Sequence, residues 1–364
     1  MNSPHELALL IDALRALHGE PHPRAALATL TRTRGSTFRR PGTHMLVFED
    51  GRLVCELSGG CPQRDIERQA REAIASGQPR RIRYNSESGL DVLIEMGCGG
   101  ELDVLIEPLP SPSAVDFAEP LAQCMASRDD VRLATLFAVD DEVIVPRRLL
   151  WSHARVCFDG TDDAVLGEAM AAACADWPGR GAGTRQLSSP RGTLDVLVEA
   201  IEPPHALVVI GSSAAARALL PVSTALGWRT TLVDSDADRL RRHEPLPELR
   251  TMCTTPERLR DALPLDRHTS VVVITHNLEQ DIAWLAALRD APVAYAGALG
   301  SRERVARMRH AHELAGLRLH APAGLDIGSE TPEEIALAVA AEIMAVLNGR
   351  GGGPLRDNDG AIHG

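Results

Sequence analysis

Ala206-Leu207-Val208-Val209-Ile210-Gly211-Ser212-Ser213 sets the class of the second half of this chain. An unbroken run of apolar, largely branched residues reads as a strand buried on both faces, as in a parallel sheet. Glycine and two serines follow, then a helical stretch over 214–226, Gly227, and a second apolar run over 230–233. Strand, tight turn, helix and strand in that order open a Rossmann-like βαβ fold. Runs at 271–275 and 293–295 supply further strands, and 333–347 a closing helix. Pro203-Pro204 marks the junction with what precedes, and the glycine-rich, polar segment 349–364 reads as a disordered tail.

The turn at 211–216 resembles a dinucleotide fingerprint, with Asp234 following Gly211 by 23 residues. That fingerprint needs a tight turn, close backbone approach to pyrophosphate and a helix N-terminus facing it. Ser213 stands at the second glycine position and crowds the pyrophosphate, whereas Ala216 at the third is tolerated. NAD(P) or FAD is therefore a weak expectation, and another phosphate, or none, is at least its equal. Asp234 reads equally as a ribose carboxylate or as an exposed turn acid. His276 follows an apolar strand at the carboxyl edge of the sheet, where ligands of such folds collect. Gly300 and Ser301 end the next strand and open a helix that Ser301 is suited to cap, with an anion site beside it. Each alone reads as sheet-edge turn chemistry; the pair, converging on one edge, favours a ligand site.

The N-terminal half has a different rhythm. A first amphipathic helix spans 5–17, and short apolar runs from 25 to about 108 alternate with turns and one helix at 62–76, an α+β pattern. Asp50-Gly51 is a hairpin signal. Leu27-Ala28-Thr29-Leu30 recurs as Leu133-Ala134-Thr135-Leu136, and Leu90-Asp91-Val92-Leu93-Ile94-Glu95 as Leu194-Asp195-Val196-Leu197-Val198-Glu199. Their spacings, 63 residues (27 to 90) and 61 (133 to 194), are close, and the helix at 164–175 echoes 66–75. A diverged duplication follows. The expected organisation is α/β: an N-terminal α+β domain (1–110), a diverged second copy serving as scaffold (111–203), a Rossmann-like parallel-sheet domain (204–348) and the tail (349–364).

Only the first copy carries glycine-cysteine turns. In Ser58-Gly59-Gly60-Cys61-Pro62, Pro62 suits the first helical position, so Cys61 sits near the positive end of a helix dipole. A thiol there tends to a lowered pKa and is a good nucleophile or soft-metal ligand. Gly97-Cys98-Gly99-Gly100 packages Cys98 in the same way. Either motif alone reads as small residues in a tight turn; together they expose thiols that a structural cysteine would bury. Arg39 and Arg40, in a basic turn, suit a phosphate or a partner carboxylate, although solvated surface arginine is the commoner reading.

Bulk composition limits the alternatives. With 44% hydrophobic and 24% charged residues, the 364-residue chain is long enough for two or three globular domains. A net charge of −12 argues against nucleic acid as the main partner. No apolar run approaches a membrane span, no signal-peptide pattern opens the chain, and seven scattered cysteines read as reduced thiols, so the expected location is the cytoplasm. The chain has no lysine, which excludes a Walker P-loop, a Ser-Lys hydrolase and Schiff-base catalysis. HExxH, GxSxG and paired CxxC motifs are absent from it as well.

Taken in order, the motifs resemble the XdhC/CoxI family of accessory factors for xanthine dehydrogenase and related molybdenum hydroxylases. The resemblance rests on Arg34-Gly35-Ser36-Thr37, Arg39-Arg40-Pro41-Gly42, Ser58-Gly59-Gly60-Cys61 and Gly97-Cys98-Gly99-Gly100 in the first half. In the second half it rests on Thr275-His276, the run from Gly297 to Arg302, and the run from Pro322 to Gly328 leading into Glu330-Thr331-Pro332-Glu333-Glu334-Ile335. It implies a protein that binds the molybdenum cofactor (molybdopterin), supports its sulfuration and passes it to an apo molybdenum hydroxylase. It further implies Cys61 as the leading cofactor and metal ligand, Cys98 as a second, and a cysteine desulfurase-type sulfurtransferase as partner, with a homodimer allowed. The cofactor's phosphate end would lie at the sheet edge formed by Gly211, His276 and Ser301. Asn277 stands where the family usually has aspartate, and the loop at 211–216 is poorer in glycine than is usual there. Two rivals remain: an NAD(P)-dependent oxidoreductase, and a docking protein that recruits the sulfurtransferase or hydroxylase without holding cofactor.

Overall fold

Ser3 begins the first element for a local reason. Its hydroxyl accepts from the Glu6 N–H and the Glu6 carboxylate accepts from the Ser3 N–H, a capping box that opens α1 (Pro4–His18). Leu7, Leu10, Ile11, Leu14 and Leu17 recur at helical spacing and form its buried face. The computed structural model describes residues 1–20, 24–35, 37–57, 61–85, 100–241 and 249–357, with residue 61 described through its backbone. Two units divide the chain, Met1–Pro203 and Pro204–Gly364.

In the first unit, β1 (Ala25–Arg34), β2 (His44–Phe48), β3 (Leu53–Val54), α2 (Cys61–Ser76), β4 (Arg80–Tyr84) and β5 (Glu101–Pro108) form one αβ layer pair. A connection containing α3 (Ala118–Ala126) leads to β6 (Val131–Val139), β7 (Glu142–Ser152), β8 (Arg155–Asp159), α4 (Ala164–Ala175), β9 (Gly181–Ser189) and β10 (Gly192–Ile201). The strand orders are β3-β2-β1-β5-β4 and β8-β7-β6-β10-β9, the same topology twice. The register repeats as well. Leu27, Ala28, Thr29 and Leu30 face Glu107, Ile106, Leu105 and Val104, while Leu133, Ala134, Thr135 and Leu136 face Glu199, Val198, Leu197 and Val196. Each ladder then skips one residue, Thr31 or Phe137, before pairing with Asp103 or Asp195.

This register corrects one expectation. The counterpart of Leu194–Glu199 is the β5 stretch Leu102-Asp103-Val104-Leu105-Ile106-Glu107, identical in sequence to residues 90–95, which lie outside the described residues. The copies differ in the length of more than one connection, most of all between their last two strands. The second copy turns from Ser189 to Gly192 through two residues, whereas the first runs from Tyr84 to Glu101 through residues 85–100, which contain Gly97-Cys98-Gly99-Gly100.

Alternation along the strands builds the layers. Ile66, Ala70 and Ala73 of α2 pack on Ala28, Leu30, Val104 and Ile106, and Leu166, Met170 and Ala173 of α4 pack on Ala134, Leu136, Val196 and Val198. Leu105, Phe137 and Leu197 fill the space between the two sheets. Polar groups share that inner face. Thr29 pairs with His44 across β1 and β2, and Thr135 pairs with Arg148 at the matching place in the second copy. Each basic side chain reaches the carboxylate of the opposite copy: His44 Nε2 lies 2.7 Å from Glu199 Oε1, and Arg148 Nη1 donates to Glu107 Oε1 at 2.9 Å with Nη2 on Oε2. All four residues are buried. Burial opposes the charge on Arg148, and Glu107 outweighs it, raising the guanidinium pKa.

The second unit is a parallel sheet in the order β13-β12-β11-β14-β15-β16, the 3-2-1-4-5-6 order of a Rossmann fold. It comprises β11 (Ala206–Ile210), α5 (Ala214–Ala225), β12 (Arg229–Asp234), α6 (Ala237–Arg241), β13 (Arg250–Cys253), α7 (Leu259–Ala262) and β14 (Thr269–Val273). After these come α8 (Leu278–Ala286), β15 (Tyr295–Ala298), α9 (Arg302–Arg309), β16 (Leu319–His320) and α10 (Pro332–Leu347). Leu207 and Val209 face α5 and α10, while Val208 and Ile210 face α8 and α9, so the apolar run is buried on both sides. β13 and β16 lie beyond the runs that apolarity marks: one is polar at the sheet's edge and the other is two residues long. Within 349–364, Leu355–Asp357 forms a 3-10 turn and residues 358–364 lie outside the described residues. Among the described residues no helix is long and apolar enough to cross a membrane.

The reciprocal pairs give a stability test. Arg148→Met leaves Glu107 buried and uncompensated and should cost about 3–5 kcal/mol, read from urea unfolding. Adding Glu107→Leu should recover most of that loss, because an apolar pair replaces the ion pair. A double variant no more stable than Arg148→Met would contradict this account.

Candidate functional site

At one end of the first sheet, the ladder sets Arg34 opposite Glu101 and Tyr84 opposite Leu102. The same end receives the start of α2, because Tyr84 Oη donates to Asp65 Oδ2 at 2.8 Å. The α2 side chain Gln63 ties the helix to the segment after β3 and to β2, accepting from the Leu57 N–H at 3.3 Å and donating to Met45 Sδ at 2.8 Å. The end of β1, the start of α2, the end of β4 and the start of β5 thus meet at one end of the sheet. Cys61 is the first residue of α2, and Gly77 closes the helix with a left-handed φ of 66°. Gly59, Gly60 and Cys98, and the side chain of Cys61, lie outside the described residues.

The two arginines of the basic turn differ. Arg39 grips Glu6 of α1 through both terminal guanidinium nitrogens, at 3.1 and 2.6 Å. Burial pushes the Glu6 carboxyl up, but the hydrogen bonds from Arg39 and Ser3 prevail and hold it below the usual range. The exposed Arg40 anchors the turn through its carbonyl, which accepts from Thr43 Oγ1 at 2.8 Å.

In the second unit, Gly211 has φ 104°, and a Cβ there would stand 2.5 Å from the Ile274 carbonyl oxygen, so no other residue fits between β11 and β14. Ser213 caps α5, accepting from the Ala216 N–H at 3.2 Å. Ser212 Oγ donates to Asp234 Oδ2 at 2.7 Å, and Asp234 Oδ1 accepts from the Asp236 N–H at 3.0 Å. The carboxylate in the ribose position is therefore already engaged by its own loop.

Across the crossover point, Asp281 organises the edge. It is fully buried and accepts from the Thr275 N–H and from Arg304 Nε, each at 3.2 Å, and also from Thr275 Oγ1 and Arg304 Nη2. Arg304 Nη1 in turn donates to the His276 carbonyl at 2.8 Å and holds that residue at a left-handed φ of 62°. Asn277 caps α8, accepting from the Glu279 and Gln280 N–H groups at 3.0 and 3.1 Å, a role aspartate shares. Ser301 caps α9, accepting from the Arg304 N–H at 3.2 Å.

These residues border a cleft of about 590 Å³ that His276, Gly300, Ser301 and Arg304 line on one side and Pro322, Ala323, Leu325 and Ala338 on another. His276, Gly300 and Ser301 thus share one cavity, whereas Gly211, Ser213 and Asp234 belong to the adjoining β11–β12 edge and do not line it. Arg304 and Ala338 were not marked in the sequence, and the run from Pro322 into Ile335 was marked there only as a family motif, not as a wall of the site. The signal for Arg304 was its place three residues after the capping Ser301, facing the same helix start. Glu342 of α10 fixes the wall by accepting from the Gly324 N–H at 2.8 Å and from Tyr295 Oη. Among the described residues no group of three or more His, Cys, Asp or Glu is placed to hold a metal ion.

Removing the organising carboxylate should loosen this edge. Asp281→Ala leaves the buried part of Arg304 unpaired and should lower the unit's stability by about 3–5 kcal/mol. Amide exchange at residues 275–277 should rise with it. Unchanged exchange there would refute the role given to Asp281.

The comparisons with known proteins agree over both halves. Residues 207–343 match the XdhC Rossmann domain, and residues 20–85 match the XdhC and CoxI family. Over 345 residues the chain is 26% identical to a Bacillus subtilis (strain 168) protein named as a probable xanthine dehydrogenase subunit, covering 92% of this chain and 96% of that one. It is 26% identical over 347 residues to the Escherichia coli (strain K12) molybdenum cofactor insertion chaperone PaoD, covering 93% of this chain and 87% of PaoD. A crystal structure from Bacillus halodurans, described as a xanthine dehydrogenase, superposes with a TM-score of 0.76 over 96% of this chain and 98% of its own, at 22% identity, which speaks for the fold. With both halves matched in order, the chain belongs to the XdhC and CoxI family.

Proposed function

We propose that this chain is an accessory chaperone that carries molybdenum cofactor as cargo and delivers it to a xanthine dehydrogenase-type molybdenum hydroxylase. The observation that carries the reading is the cleft at the carboxyl edge of the parallel sheet. Its walls include apolar Ile274, Leu299, Ala323 and Leu325, a surface suited to a flat heterocycle. Gly300 and Ser301 bring the N-terminus of α9 to it, Ala215 brings the first turn of α5, and Arg304 adds a guanidinium group. Helix starts and a guanidinium favour an anionic tail such as the phosphate of a pterin cofactor. The similarity to PaoD over nearly the whole chain supports the same cargo.

In this reading Cys61, at the start of α2, is the thiolate that meets molybdenum, with Cys98 as a second. Soft sulfur suits that metal, and a helix start favours the thiolate. His276, Gly300 and Ser301 hold the phosphate end, while Gly211, Ser213 and Asp234 shape the loop beside it. Arg39 supports the first-unit turn through Glu6, and exposed Arg40 meets the client. Sulfuration by a cysteine desulfurase-type sulfurtransferase, a cytoplasmic location and homodimer formation belong to the same proposal. A nicotinamide dinucleotide is the second reading, favoured by the 3-2-1-4-5-6 strand order and opposed by the engagement of Asp234 with Ser212.

Pterin released from the purified protein and oxidised to its fluorescent form tests the cargo. Chain purified from cofactor-producing cells should release it, and Arg304→Gln should lower the yield several-fold. Cys61→Ser should do the same at an unchanged melting temperature. Full loading of Cys61→Ser would remove the thiolate from the proposal. Absence of pterin together with a stable hydroxylase complex in pull-down would favour pure docking, and saturable binding of reduced nicotinamide with hydride transfer would favour an oxidoreductase.

A further inference from the structure

Phe38 stands in water on a turn that is otherwise fixed. Of the chain's five phenylalanines it is the one exposed, at 75%, whereas Phe48, Phe117, Phe137 and Phe158 are buried or half-buried. It belongs to the connection between β1 and β2. In the second copy the matching ladder runs on to a tight turn at Asp140-Asp141, where Val139 pairs with Glu142. In the first copy the ladder ends at Thr29 and His44, and residues 37–43 make a turn of their own. The Gly42 N–H donates to the Leu30 carbonyl and the Leu30 N–H to the Thr43 carbonyl, each at 2.8 Å. Buried Thr37 and Thr43 donate through Oγ1 to the Arg39 and Arg40 carbonyls, each also at 2.8 Å. Gly42, with φ 78°, presses so closely on the second copy that a Cβ would stand 2.7 Å from Ala182 Cβ. Arg39, clamped by Glu6, sets its guanidinium 5.6 Å from the centre of the Phe38 ring. The ring is exposed, but the turn that presents it is held on every side.

We propose that this turn is a docking surface for the client hydroxylase, anchored by Phe38, and that the partner offers an apolar socket bordered by carboxylates. The proposal rests on the delivery function proposed above. A ring already held in place loses little freedom when a partner closes over it. One such aromatic anchor can carry much of an interface's binding energy. Charge sets what surrounds the socket. Exposed Arg34 opens the connection, and exposed Arg40 follows Phe38 by two residues. The Arg34 side chain is 84% exposed and reaches Glu101 only at 3.9 Å, a surface pair that neutralises little of its charge. Arg39 differs, because Glu6 already meets its charge. In a chain of net charge −12, this basic stretch around an aromatic ring is complementary to an acidic partner surface.

Apo xanthine dehydrogenase of the same organism, made in cells that lack the molybdenum cofactor, is titrated onto the immobilised full chain. Pterin loading and melting temperature are measured on the same preparations. Phe38→Ser should weaken the complex about tenfold or more, with loading and melting temperature unchanged. Arg34→Glu should weaken it several-fold at low salt and less at high salt, because exposed charges are screened. Val145→Ser, which removes another exposed apolar side chain, in β7, should leave the affinity as it is. Undiminished hydroxylase binding by Phe38→Ser would overturn the docking role and leave the delivery function standing. Lost pterin in that variant, with hydroxylase binding intact, would make the ring a cargo contact and overturn the docking role as well. A wild-type chain that carries pterin but binds no hydroxylase would overturn the delivery function, and this surface with it.

Discussion

A carboxylate buried between two sheets needs a partner, and in this protein the partner comes from the other copy. Glu107 and Glu199 occupy matching positions on the central strands, and Arg148 and His44 occupy matching positions on the strands beyond. Each acid is met by the base of the opposite copy. An unmet carboxylate in such a place costs several kilocalories per mole, so neither copy is complete alone. The exchange is unequal: Arg148 meets both oxygens of Glu107, whereas His44 meets one of Glu199, whose Oε2 has no hydrogen-bond partner among the described residues. Asp195 adds to the joint by accepting from Arg32 and Arg81 of the first copy at 2.9 and 3.2 Å.

This division of labour explains the difference between the copies. The second copy supplies Arg148, Asp195 and Glu199 to the joint and closes β9 to β10 with a two-residue turn. The first keeps a long connection between β4 and β5 at the sheet end where α2 begins. A fold held from its inner face leaves such a connection free to vary in length at little cost, because loop closure grows only slowly with length.

In the second unit one buried acid plays a comparable part. Asp281 fixes Thr275 and Arg304, and Arg304 fixes the His276 backbone, so a strained residue at the sheet edge is held by three side chains rather than by its own preference. The dinucleotide fingerprint is altered in a consistent way. Ser213 serves as a helix cap and Ser212 occupies Asp234, so the loop is stabilised from within, and the open cleft lies on the β14–β15 side instead.

Much of this was legible locally. The two-faced apolar run of β11, the capping residues Ser3, Ser213, Asn277, Ser301 and Thr331, and the left-handed Gly77 and Gly227 each state their element within a few residues. His276 and Ser301 were readable as neighbours because ligand-facing ends of parallel strands share one edge. Long-range choices were not readable. Two identical hexapeptides, at 90–95 and 102–107, carry the same pattern, and only pairing with β1 and β4 shows that the second forms β5. Nothing near Arg304 names Asp281, and nothing near His44 names Glu199, 155 residues away. The sequence alone determined the helices and strands that their own propensity, periodicity and capping mark, because these act over a few residues. The tertiary structure decided which buried charge meets which, and so which residues share a site, because that depends on contacts between segments far apart in the chain.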